Sequence, residues 1–207
     1  MMKPIYEACV ETVEQAVLAE KNGAGRIELC GDLSVGGITP SVDLLSKTID
    51  AVSIPIMTMV RPRGGDFVHT NEEVLQIKTT IDLFKSLKIK GVVFGFLTKE
   101  DEIDLELTKE LVQYASPLEV TFHKAIDQTS DPVKSIERLS EIAGIQRVLT
   151  SGGMSTAMEG RETLKKMMEA VDGKLSVLVA GKVTVENREE LNRLIGANEY
   201  HGRRIVF

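Results

Sequence analysis

The sequence predicts an α/β protein folded as a parallel (β/α)8 barrel, a single domain over residues 1–207. Two observations carry that expectation and a third counts against its rival. Eight strand-like segments recur along the chain, and seven of them are followed by helical pattern. Their starts lie about 20 to 36 residues apart, the size of a strand-plus-helix unit with short connections. Strict alternation of strand and helix builds a parallel sheet with helices outside it, and eight strands make closure into a barrel the economical arrangement. A doubly wound open sheet remains the rival, since local pattern does not register strand order. It lacks support at its first turn, because residues 9–13 carry no glycine-rich dinucleotide fingerprint.

Strand one is expected over residues 5–9, and Thr12-x-x-Gln15 after it fits a capping box, whose side chains satisfy free backbone N–H groups in the first helical turn. Strands two and three follow over 26–30 and 56–60. A second capping box, Thr70-x-x-Glu73, opens a helix whose apolar Val74, Ile77, Ile81 and Phe84 or Leu87 form a stripe for packing on a sheet. Strands four and five are read over 91–96 and 119–124. Asp131-Pro132 then sets an N-cap before a proline, whose fixed φ and missing donor suit the first helical position. Strands six, seven and eight fall over 147–150, 176–179 and 198–201. No eighth helix is expected, so the last β/α unit is incomplete. Apolar surface near Ile195 and Val206 then needs cover, which predicts a homodimer or a higher homo-oligomer.

Composition narrows the function. With 31 acidic against 25 basic side chains the formal charge is -6, which opposes the sequence-independent attraction to phosphate backbones that nucleic-acid binders use. A small molecule or an ion is the expected ligand. The longest apolar stretch, residues 51–60, contains Ser53, Pro55 and Thr58 and falls short of the roughly 20 residues that a membrane span needs. Met1-Met2-Lys3 runs straight into strand-like sequence, leaving no room for a signal peptide, so a cytoplasmic protein with reduced thiols is expected.

The residues that carry chemistry gather at the C-terminal ends of the strands, the active face of such barrels. Glu7-Ala8-Cys9 and Glu28-Leu29-Cys30 repeat one Glu-x-Cys pattern on the first two strands. Side chains two apart on a strand share a face, and adjacent strands lie roughly 4.8 Å apart. Inward-pointing faces would therefore bring the chain's only two cysteines together with two carboxylates. Two thiols suggest a soft metal, and two carboxylates suggest acid–base chemistry. Strand three runs into Arg61-Pro62-Arg63-Gly64-Gly65-Asp66, which reads as a loop that closes over a substrate, with a solvated charged loop held by an Arg–Asp pair as the plainer alternative. Strand five ends in His123-Lys124-Ala125-Ile126-Asp127, strand six in Ser151-Gly152-Gly153 and strand seven in Gly181-Lys182.

Taken together, Ile27-Glu28-Leu29-Cys30 with Gly36-Gly37-Ile38-Thr39-Pro40-Ser41, Arg61-Pro62-Arg63-Gly64-Gly65-Asp66-Phe67, Phe122-His123-Lys124-Ala125 with Asp127, and Thr150-Ser151-Gly152-Gly153 resemble the CutC family. The resemblance spans nearly the whole chain. It implies a barrel of the (β/α)8 type, a cytoplasmic protein that self-associates, and a part in copper homeostasis with copper binding. The chain departs from the family pattern at Ala180-Gly181-Lys182-Val183, where a glycine run is usual, at Lys124, where arginine is usual, and at His69, where tyrosine is usual.

Two functional readings follow. In the first, Cys9 and Cys30 hold Cu(I), helped by Met57, Met59 or Met154 and by His123 or His201, because Cu(I) favours soft sulfur and tolerates low coordination. The plain alternative is two small buried apolar side chains. In the second, an enzyme acts by acid–base chemistry on a small anionic molecule, phosphorylated ones included. His123 is then general acid or base, Glu7 and Glu28 proton acceptors or hard ligands, and Arg61 the clamp on the anion, with Asp127 in the same constellation. The alternative for these five is a buried salt-bridge network. Arg63, Lys124, Ser151, Gly152, Gly153, Gly181 and Lys182 form the expected anion-binding set, with tight strand-to-helix turns as the plainer alternative for the glycines.

Overall fold

Runs such as Arg26–Leu29 and Ile56–Met59 are buried at every position, which a strand achieves only with packed layers on both of its faces. The computed structural model, which describes residues 4–207, shows how. Eight parallel strands pair in sequential order and close into a barrel. They are β1 Ile5–Val10, β2 Arg26–Leu29, β3 Ile56–Met59, β4 Gly91–Phe94, β5 Glu119–Phe122, β6 Ile145–Thr150, β7 Ser176–Val179 and β8 Glu199–Gly202. Closure is made by β8 against β1, with Glu7 opposite His201.

One α-helix follows each of the first seven strands: α1 Val13–Lys21, α2 Val42–Ala51, α3 Asn71–Lys85, α4 Leu105–Ala115, α5 Pro132–Ser140, α6 Arg161–Val171 and α7 Arg188–Ile195. The caps read from the sequence are present. Thr12 accepts from the Gln15 N–H, Thr70 and Glu73 make the full reciprocal box, and Asp131 caps α5 with Pro132 in its first turn. At α1 the reciprocal bond is shifted by one residue, since the Gln15 side chain accepts from the Glu11 N–H. No helix among the described residues is long and apolar enough to cross a membrane.

Alternation along the strands divides the core in two. Tyr6, Ala8, Val10, Ile27 and Leu29 point outward into the large cluster beneath the helices. Inside the barrel lie Cys9, Cys30, Met57, Met59 and Val93 in one cluster and Leu149, Leu178 and Ala180 in another. The surface expected to need a partner's cover is closed by the chain itself. Ile195 and Val206 are buried, and the segment after β8 is tied down by a Thr184–Arg204 bridge and by Arg188 Nη1 donating to the Ile205 carbonyl at 2.6 Å. The argument for self-association from an open barrel side therefore does not hold.

Candidate functional site

The floor of the site follows from strand register. Cys9 on β1 pairs with Glu28 on β2, and Cys30 lies two residues beyond Glu28 on the same face. One ligand atom from each of Cys9, Glu28 and Cys30 lies within 4.8 Å of the others, and all three residues are buried. Cys30 Sγ donates to Glu28 Oε2 at 3.6 Å, whereas Glu28 Oε1 is buried with no partner. His201, brought in by closure of β8 onto β1, sits with Nδ1 2.8 Å from Glu7 Oε1 and Nε2 3.6 Å from Glu28 Oε2.

The electrostatics of this floor are set by burial and mutual contact. The neighbouring Cys30 thiol draws the Cys9 thiol well below its usual range, against burial and with help from His201, while Cys30 moves up in exchange. Burial, reinforced by the adjacent Cys9, pushes the Glu28 carboxyl well above its usual range. Burial would also raise Glu7, but Arg26 and His201 hold it down at about 2.

Above the floor a cavity of about 880 Å3 opens between the loops that follow the strands. Of the residues expected at the site, Cys9, Glu28, Cys30, Arg61, His123, Lys124, Asp127, Gly181 and Lys182 line it. His123 is buried, with Phe67 packed against its ring at 4.8 Å between centroids and its Nδ1 accepting from the Ala125 N–H. Burial and the Arg61 charge lower it to about 3, so the ring is neutral. The Arg61 guanidinium donates to the carbonyls of Gly37 at 3.1 Å and Gly65 at 2.6 Å, and stacks over Phe67 at 4.7 Å. Gly37 is required there: its φ is +88°, and a Cβ would lie 3.2 Å from Cys30 Sγ.

Other expected residues are drawn away from the cavity. Glu7 lies one layer below the floor, paired with Arg26 and His201. Arg63 spends its donors within its own loop and on Glu73 of the α3 cap, at 2.5 Å. The backbone donors of Ser151 and Gly153, expected to face an external anion, bond the Asp127 carboxylate at 3.0 and 2.9 Å, and the Gly152 N–H bonds Thr150 Oγ1 at 2.9 Å. An internal carboxylate thus fills the anion cradle of this loop, with Lys124 beside it.

Two features escaped the sequence reading. Arg26 joins Glu7 to Glu199, and Arg147 joins Glu199 to Glu119, so a chain of ion pairs fills the barrel below the thiols. Inward parity on β2, β5, β6 and β8 was the available signal. Gly95 is the second: a Cβ there would lie 2.6 Å from His123 Nδ1, so its bare backbone makes room for the ring.

Comparison with known proteins agrees with the fold and with the motifs. The sequence model of the CutC family matches residues 4–206. The mouse and human copper homeostasis protein cutC homologs are 44% and 43% identical over 197 residues, which cover 95% of this chain and 72% of each relative. A crystal structure of CutC from Streptococcus agalactiae superimposes with a TM-score of 0.91 at 30% identity, covering 98% of this chain and all of that one. Phosphoribosylanthranilate isomerase from Thermotoga maritima shares the barrel alone, with a TM-score of 0.61 at 11% identity over 97% of this chain and 87% of that one.

Proposed function

The chain belongs to the CutC family, and we propose that it binds Cu(I) through the sulfur atoms of Cys9 and Cys30 as a cytosolic participant in copper homeostasis. The observation that carries this reading is the convergence of two buried thiols and the Glu28 carboxyl within 4.8 Å. Two sulfur donors suit a soft ion of low coordination number, and a structural zinc ion would ask for four ligands where three converge. The orphaned Glu28 Oε1 is free to accept a bond or to complete the ion's surroundings. The mouse and human relatives bear a copper homeostasis name, which supports the same ion. The test is an anaerobic Cu(I) competition titration of the reduced protein against a chromophoric chelator. One copper per chain, lost in a folded Cys9→Ser/Cys30→Ser variant, is the expected result; binding that ignores both thiols would overturn the reading.

A second reading, an enzyme working by acid–base chemistry on a small anion, has one observation in its favour. Glu28, with its carboxyl pushed up by burial, faces the same cavity as Arg61 and the neutral His123. Turnover of a carboxylated or phosphorylated compound that stops in Glu28→Gln without loss of fold would establish it.

A further inference from the structure

We infer that Cu(I) reaches Cys9 and Cys30 as an anionic complex with a small organic carrier, drawn in by a cationic rim of Arg61, Lys182 and Arg203. This rests on the copper reading above and adds the chemical form of the cargo. Three observations carry it.

The first is size. A cavity of about 880 Å3 lies in the range of small-organic-ligand sites, about 300–1,000 Å3, and far exceeds the need of a single ion. The second is sign. The lining carries Arg61, Lys124, Lys182, Arg203 and Arg204 against the carboxylates of Glu28 and Asp127, in a chain with 31 acidic and only 25 basic side chains. Asp127 is committed to Lys124, and Arg204 lies 3.5 Å from Glu186. Arg61, Lys182 and Arg203 make no ion pair among the described residues, and Arg203 donates instead to the Leu33 carbonyl at 2.6 Å.

The third is Arg61 itself. It is 4% exposed, its guanidinium is fixed by backbone carbonyls on both sides, and its Nε has no partner. A buried cation without a counter-ion is costly to maintain, and an anion in the cavity supplies one. A bare Cu(I) ion would cross this rim against its charge, whereas an anionic complex is attracted. Fields of one sign in a cleft raise association rates by about 10- to 1,000-fold. At the floor the transfer is a ligand substitution. Carrier–copper bonds break as bonds to the two cysteine sulfurs form, any proton still on those sulfurs passes to the departing donors or to water, and copper stays Cu(I) while the carrier leaves, protonated where its donors took those protons and otherwise as the free anion.

The test is anaerobic stopped-flow transfer to the reduced protein from two Cu(I) donors of opposite charge, the anionic bis-bicinchoninate complex and the cationic acetonitrile complex. Lys182→Glu/Arg203→Glu reverses the rim. Lys88→Glu, before β4 at the other end of the barrel, is the control. The rim variant is expected to take copper from the anionic donor at least about ten-fold more slowly, and from the cationic donor no more slowly than wild type, with Lys88→Glu matching wild type on both. Equal slowing from both donors, or none, overturns the carrier inference and leaves the thiol site standing. No transfer to wild type, or transfer that persists in Cys9→Ser/Cys30→Ser, overturns the proposed function and this inference with it.

Discussion

The Asp127 carboxylate accepts the Ser151 N–H at 3.0 Å and the Ser151 hydroxyl at 2.9 Å, so the loop after β6 is closed by an anion that the chain itself provides. Burial opposes the charge, but Lys124 and the surrounding donors hold the carboxyl below its usual range. Asp127→Ala is expected to leave these N–H groups and Lys124 without their partner and to cost about 2–4 kcal/mol in urea unfolding. Added formate, small enough to enter the vacated cradle, is expected to restore part of the loss. A variant as stable as wild type would show that the loop does not depend on this carboxylate.

His123 provides a pH dependence of the opposite chemical type. Its folded value near 3 lies below the ordinary histidine value of 6.5, so between those limits the unfolded chain binds a proton that the folded one refuses. Stability then falls as pH drops from about 6.5 toward 3, by up to about 1.4 kcal/mol per pH unit from this group, and is fully retained above that window. Urea unfolding of His123→Gln at pH 7, 5.5 and 4.5 (about one unit or more between points) is expected to show a shallower decline than wild type.

The ion pairs beneath the thiols are buried, and their worth differs from that of surface pairs. Arg26→Ala would remove the cation that Glu7 and Glu199 share, leaving Glu7 to His201 and Glu199 to Arg147, at a cost of up to about 3–5 kcal/mol. Lys47→Ala breaks a pair whose side chains are 64% and 74% exposed, and should cost no more than about 0.5 kcal/mol. Similar midpoints for the two variants in chemical denaturation would mean that His201 and Arg147 suffice to hold the two carboxylates.

These contacts mark the boundary of what the sequence discloses. The barrel was legible because the recurrence of strand-like segments followed by helical pattern, Thr70 with Glu73, and Asp131 before Pro132 are local signals that tertiary packing did not override. The meeting of Cys9, Cys30 and Glu28 was legible because consecutive parallel strands are neighbours, but their register was not: Cys9 stands opposite Glu28, and Glu7 drops to face Arg26 instead of joining the thiols. His201 beside Glu7 depends on closure of β8 against β1, 194 residues apart in the chain, and no local pattern carries that. Asp127 fits a catalytic constellation and a buried salt-bridge network equally well in sequence, because a carboxylate looks alike whether its partner is foreign or internal. Only the three-dimensional path of the loop after β6 decides.

Gly37 links the backbone of the mouth to the thiol floor. Its carbonyl accepts from Arg61 and its Cα lies so close to Cys30 that an added methyl group would sit 3.2 Å from the sulfur. Gly37→Ala meets two penalties at once: a side chain at φ +88°, worth about 1 kcal/mol or more, and displacement of Cys30 from its place beside Cys9. Under the proposed copper reading, a floor that holds an ion between two sulfurs is sensitive to such a shift. Cu(I) affinity is therefore expected to fall by about ten-fold, equivalent to about 1.4 kcal/mol, although every donor atom remains. Gly173→Ala, at a turn with similar φ and nothing within 4 Å, carries the backbone strain alone. It should lose stability without losing copper affinity, and equal affinity losses in both variants would show that strain rather than the position of Cys30 governs the site.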